Sequence, residues 1–128
     1  MKTIIIDGYN AMHGLRRFAP EFKKGLAAAR AAFMLYLSGW RKAYSNAELR
    51  VVFDTDRADE FAYPAMSMHG VDFVFAQEEN GADARIISMV RASENPRDIV
   101  VVSDDNNIRY SSRTHGARVE HTNFLLRK

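Results

Sequence analysis

The chain has 128 residues, 47% of them hydrophobic and 27% charged, with a formal net charge of +2 from 18 basic and 16 acidic side chains. That length and balance fit one globular domain, residues 1–128, and demand no second one. The lack of cysteine excludes disulfides and thiolate zinc centres, and the four histidines, at 13, 69, 115 and 121, are too scattered for a zinc constellation.

Met1-Lys2-Thr3 leads directly into an apolar run without the long apolar core of a secretory signal, so a cytoplasmic protein is expected. Residues 2 to 6 form the first expected strand, stopping at Asp7. A glycine-containing loop, Gly8 to Pro20, carries Arg16 and Arg17. A long helix then runs from Glu21 to Tyr44, with Leu26, Phe33, Leu37 and Trp40 near helical spacing. Its apolar stretch is interrupted by Arg30 and is too short for a clean bilayer span, so no membrane association is expected.

The second strand is Leu49 to Phe53, ending at Asp54. Thr55 to His69 reads as a loop with a short helix, and Gly70 precedes a third strand, Val71 to Ala76. A helix from Gly81 to Glu94 stops at Asn95-Pro96, because proline disfavours helix in the residue before it. A fourth strand, Ile99 to Val102, meets Asp104 and Asp105, either of which can cap a short helix ending before Gly116. Ala117 to Glu120 makes a fifth strand. Alternating strands and helices predict an α/β fold of three layers, α/β/α, around a mainly parallel sheet of four to five strands.

In a parallel sheet the carboxyl ends of the strands share one edge, where ligands bind. Asp7, Asp54 and the Asp104/Asp105 pair all follow strands and so arrive at that edge. Asp83 joins them from a helix, sharing the face of Ile86, Ile87 and Val90 by the i, i+3, i+4, i+7 pattern. Crowded carboxylates repel one another, and a hard divalent cation compensates an all-oxygen cluster, which points to Mg²⁺ or Mn²⁺. Asp7, Asp83, Asp104 and Asp105 are the candidate ligands, Asp105 slightly ahead of Asp104, with Asp54 ranked below them. Asn10 is placed to orient a water or a phosphate oxygen, and Ser103 and Asn107 to contact substrate. For each acid the plainer reading is a turn or a helix cap.

Six segments resemble the YacP-like branch of NYN domains within the PIN-like nuclease superfamily. They are Ile5-Ile6-Asp7-Gly8-Tyr9-Asn10, Val52-Phe53-Asp54, Gly81-Ala82-Asp83-Ala84-Arg85-Ile86, Val101-Val102-Ser103-Asp104-Asp105, Gly116-Ala117-Arg118-Val119 and Asn123-Phe124-Leu125. Each is short, but their common order covers nearly the whole chain. The resemblance implies a PIN-like fold and a metal-dependent ribonuclease, in some members an endonuclease acting on ribosome-associated mRNA. It also implies Asp7, Asp83 and Asp104/Asp105 as metal-binding acids, with Asn10 as a polar companion. Asn107 stands where many PIN-like domains carry a further acid, which implies a weaker second metal site.

RNA is the expected partner. Arg16 and Arg17, beside the Asp7 loop, lead the phosphate-binding candidates, followed by Lys23, Lys24, Arg85 and Arg109; Tyr9, His13, Phe61, Tyr63 and His69 are candidates to stack bases. The alternative is an RNA-binding PIN-like domain with little catalysis. A receiver-like phosphoacceptor domain fits poorly, since Lys128 is the only lysine after Lys42. A dehalogenase-type phosphatase would place an acid at Tyr9.

Overall fold

The computed structural model describes residues 2–43, 47–54, 65–68, 70–76 and 81–126. Six strands form one sheet: β1 (Lys2–Asp7), β2 (Ala47–Asp54), β3 (Ala65–Met68), β4 (Val71–Ala76), β5 (Ile99–Val102) and β6 (Arg118–Glu120). Their spatial order is β3-β4-β2-β1-β5-β6. All neighbours are parallel except the β3–β4 edge pair, which is antiparallel. The expected sheet is therefore present with one more strand, β3, in a segment expected to be loop and short helix. The rest of that segment, 55–64 and 69, lies outside the described residues.

Alternation along the strands distributes the core over two layers. Ile4 and Ile6, Val51 and Phe53, and Val100 and Val102 face one side, while Ile5, Val52 and Val101 face the other. The first side is covered by α1 (Gly8–Gly14), α2 (Ala19–Phe22) and α3 (Leu26–Arg41), the second by α4 (Gly81–Ala92) and α5 (Asn106–Thr114). Helix α3 buries Ala29, Phe33, Leu37 and Trp40, a stripe at spacings of four, four and three. Short 3-10 turns at Arg16–Phe18, Pro96–Asp98 and Thr122–Leu126 complete the chain. The last one buries Phe124 and Leu125, with Phe124 edge-on to Trp40 at 5.6 Å.

Two helical boundaries differ from expectation. Gly8 to Pro20 is not a loop: it forms α1, a 3-10 turn and the start of α2. Glycines at both ends and the absence of a side-chain N-cap conceal α1 in the sequence; burial of Ala11 and Met12 stabilises it instead. The long helix begins at Leu26 rather than Glu21, because Gly25 takes φ +114°, a left-handed conformation that separates α2 from α3. Among the described residues, no helix is long and apolar enough to cross a membrane.

Candidate active site

The chain leaves β1 for β2 and β4 on one side and returns to β5 and β6 on the other, so the strand order switches between β1 and β5. The carboxyl edge at such a switch point is where open α/β sheets form ligand crevices. Parity selects which side chains meet there. Asp7 shares the parity of Ile5, Asp54 that of Val52, and Ser103 that of Val101, so all three strand ends point toward the α4/α5 layer. Asp83 lies in the first turn of α4, and Asp105 precedes α5 as its N-cap.

Asp7 is the centre of this arrangement. It is only 7% exposed, and its carboxylate makes no capping bond to α1, although it occupies the N-cap position. Instead its Oδ2 accepts the Ser103 hydroxyl at 2.9 Å. Burial pushes its pKa up from 3.8 to about 7; the Ser103 bond opposes this, and the charges of Asp83, Asp105 and Asp54 reinforce it. Asp83 is half-buried and also titrates above its ordinary value, first through desolvation and then through Asp105 and Asp54.

Ser103, expected to touch substrate, is fully buried. Its Oγ bridges the site internally, donating to Asp7 and accepting the Asp105 N–H at 3.0 Å. Asn10 plays a related part: its Oδ1 accepts the Asp104 N–H at 2.8 Å and lies 3.5 Å from Ser103 Oγ. The β1 end and the β5–α5 turn are thus tied through three side-chain contacts.

The two neighbouring acids diverge. Asp105 Oδ1 caps α5 by accepting the Ile108 N–H at 3.0 Å, while the Asp105 charge acts on both Asp7 and Asp83. Asp104 turns toward the C-terminal 3-10 turn. Its Oδ1 accepts the Thr122 N–H and meets His121 Nδ1, both at 3.0 Å, and its Oδ2 accepts the Thr122 hydroxyl at 2.7 Å. Those bonds and the His121 charge outweigh desolvation and hold its pKa below the ordinary value. Asn107 is exposed in the first turn of α5.

Asp54 is exposed but closely seated. A Cβ at Gly81, where φ is +60°, would lie 2.3 Å from Asp54 Oδ1, so only glycine lets the start of α4 approach this carboxylate. Gly8 serves a similar purpose without positive φ: a Cβ there would lie 2.5 Å from the Phe53 ring. Its role is close packing of α1 onto β2.

Of the cations expected to meet phosphate, Arg17 stacks on Tyr36 of α3, 4.2 Å from the ring centroid, and Arg16 is exposed. Arg109 Nη1 donates to the Ser103 carbonyl at 3.2 Å, at the end of β5. Arg30, read in the sequence only as an interruption, reaches the strand edge from α3: its Nη1 donates to the Tyr9 hydroxyl at 2.9 Å, and its guanidinium lies 5.2 Å from the Phe75 ring centroid. Tyr9 and His13 already pack on Phe53 and Phe22, whereas Phe61, Tyr63 and His69 lie outside the described residues.

Among the described residues, no group of three or more acidic or histidine side chains is gathered closely enough to cage a metal ion. The donor chemistry nevertheless fits a hard cation. The oxygens are all carboxylate, the buried one holds its proton to about pH 7, and neighbouring charges help keep it there. Mg²⁺ commonly takes one or two carboxylates directly and completes its shell with water and substrate phosphates, which requires no all-protein cage. A groove of about 510 Å³ beside α4, lined by Arg50, Ser67, Asp72, Phe73 and Arg85 among others, includes none of these acids.

The profile of the YacP-like NYN domain family matches residues 4–127. No curated protein matches the chain. Two crystal structures of Rae1 (YacP) from Bacillus subtilis share its fold. One, of a mutant, superposes with a TM-score of 0.74 at 24% identity over 98% of this chain and 73% of that one. The other gives 0.74 at 22% over 98% and 72%.

Proposed function

Because the chain belongs to the YacP-like NYN domain family, a family of nuclease domains, we propose that its acidic edge is the active site of a metal-dependent ribonuclease cutting single-stranded RNA internally. The observation that carries this reading is Asp7: a buried carboxylate at the topological switch point, unused as a helix cap and raised to about pH 7 partly by three other acids. A structural aspartate would be neutralised by a basic partner, whereas this one faces more negative charge.

Asp7, Asp83 and Asp105 are the residues that would hold Mg²⁺ or Mn²⁺, with Asp54 adding negative potential and Asp104 anchoring the C-terminal turn. When bound, such an ion supplies Lewis acidity at the scissile phosphate and makes a coordinated water acidic enough to attack. Ser103 keeps the Asp7 carboxylate in one orientation and Asp105 in register with it. With Asn10 Oδ1 committed to the Asp104 N–H, its amide nitrogen is the end suited to donate to a phosphate oxygen.

The test is incubation of a labelled, structure-poor RNA with Mg²⁺, Mn²⁺ or EDTA, with Asp7→Asn in parallel. Metal-dependent internal products are expected, reduced on the order of a hundredfold or more in the variant, the usual scale for losing one electrostatic contact to a transition state. RNA binding without metal-dependent cleavage would instead favour a binding domain.

A further inference from the structure

Two arginines approach the carboxyl edge from opposite flanks of the acids. Arg30 comes from α3 and touches two side chains at strand ends: it bonds Tyr9, just after β1, and lies over Phe75 of β4; Tyr9 in turn packs on Phe53 of β2 at 5.0 Å between centroids. Arg109 comes from α5 and bonds the Ser103 carbonyl, just after β5. Both are half-buried, so their positions are set by packing rather than left to solvent. The strand ends carrying Asp54, Asp7 and Ser103–Asp105 run from β2 through β1 to β5, between the layer of α3 and that of α5.

We infer that Arg30 and Arg109 are a pair of backbone-phosphate contacts that hold an RNA strand across the carboxyl edge on either side of the acids. This rests on the ribonuclease reading of that edge. The electrostatic need is direct: a cluster of carboxylates repels a polyanion, and fixed positive charge on the flanks offsets that repulsion along the backbone beyond the reach of a cation held by the acids. Arginine suits the task because its planar fork matches phosphate oxygens while its face stays on an aromatic ring, as Arg30 does on Phe75. Arg30 reaches from Phe75 of β4 to Tyr9 just after β1, and Arg109 sits at the end of the neighbouring β5, so the two guanidiniums belong to different strand ends of the same edge. Arg17, held on Tyr36 and bordering Leu35 and Trp40, is not part of the pair.

The experiment is the salt dependence of RNA binding, measured by fluorescence anisotropy with a labelled structure-poor RNA and the Asp7→Asn protein, which leaves the RNA intact. Each phosphate contact to a single strand contributes about 0.7 to the slope of log Kd against log salt. Arg30→Met and Arg109→Met should each lower the slope by about that amount and the double variant by about twice it, whereas Arg30→Lys and Arg109→Lys should keep it. A purely structural arginine would change folding without changing the slope, so circular dichroism accompanies each variant, with Arg30→Gln or Arg109→Gln replacing the methionine variant at the same position if that one does not fold. Unchanged slopes in folded variants of a protein that binds RNA would overturn the pair and leave the ribonuclease reading standing. Loss at only one arginine would overturn the bracket. A parent protein that binds no RNA would overturn the reading of the edge and the pair with it.

Discussion

At Asp7, proximity and burial produce a definite pH signature. Its folded-state pKa is raised to about 7 from 3.8, so between those values the native state keeps a proton that the unfolded chain has released. The contribution of this group is therefore full below about pH 4 and is lost as pH rises through 7, by on the order of 4 kcal/mol for a shift of this size. Asp83 acts in the same direction, and Asp104, whose pKa is lowered, acts oppositely, losing its contribution as pH falls. In EDTA, urea unfolding should show Asp7→Asn gaining stability relative to the parent as pH rises from 4 to 7. Parallel stability profiles would contradict the buried-acid assignment.

The adjacent pair Asp104 and Asp105 separates by function. Asp104→Ala removes the acceptor for the Thr122 N–H and hydroxyl and should cost about 1–3 kcal/mol, with cleavage retained in the folded fraction. Asp105→Asn keeps a side chain that can cap α5 and should instead depress cleavage while leaving the unfolding midpoint within reach of the parent. The sequence could not divide these roles, because both acids follow the same strand and the partner that claims Asp104 is 18 positions downstream. The position of Asp83, by contrast, in the first turn of α4, was readable from its place on an apolar helical stripe.

At the level of elements, glycine sets how closely helices approach the strand ends. Gly81→Ala places a Cβ on the Asp54 carboxylate at a backbone angle that favours glycine, and should cost about 1–3 kcal/mol while displacing Asp83 with the start of α4. Thermal unfolding and the cleavage rate together test this: a stability loss alone would show that α4 shifts without disturbing the acids. Gly8→Ala should cost about 1–3 kcal/mol by overpacking Phe53, with α1 the element displaced. The parallel strands were legible because buried β-branched runs such as Ile4–Ile6 and Val100–Val102 have few alternatives. α1 and β3 were not, since one is a short helix stabilised by tertiary packing and the other an edge strand defined by its pairing with β4. Arg30 was missed for a related reason: its significance depends on Tyr9 and Phe75, neither of which is near it in sequence.

For the whole molecule, topology converts scattered residues into a site. β1 and β5 are separated by the α1–α4 region of the chain yet pair in register, Ile6 with Val102, which places Asp7 beside Ser103 and its two following acids. The three-layer packing then brings Asp83 across from α4 and Arg30 from the opposite layer, so the edge combines negative charge at its centre with positive charge at its flanks. A divalent cation is the component that would reverse the mutual repulsion of the acids, and this claim has a direct spectroscopic readout. The measurement is the titration of the Asp7 side-chain carboxyl by ¹³C NMR in EDTA and in Mg²⁺. A pKa near 7 is expected without metal and a downward shift of more than one unit with it. A carboxyl titrating in the ordinary range, or one that Mg²⁺ leaves unmoved, would mean that Asp7 is not a buried acid awaiting a cation.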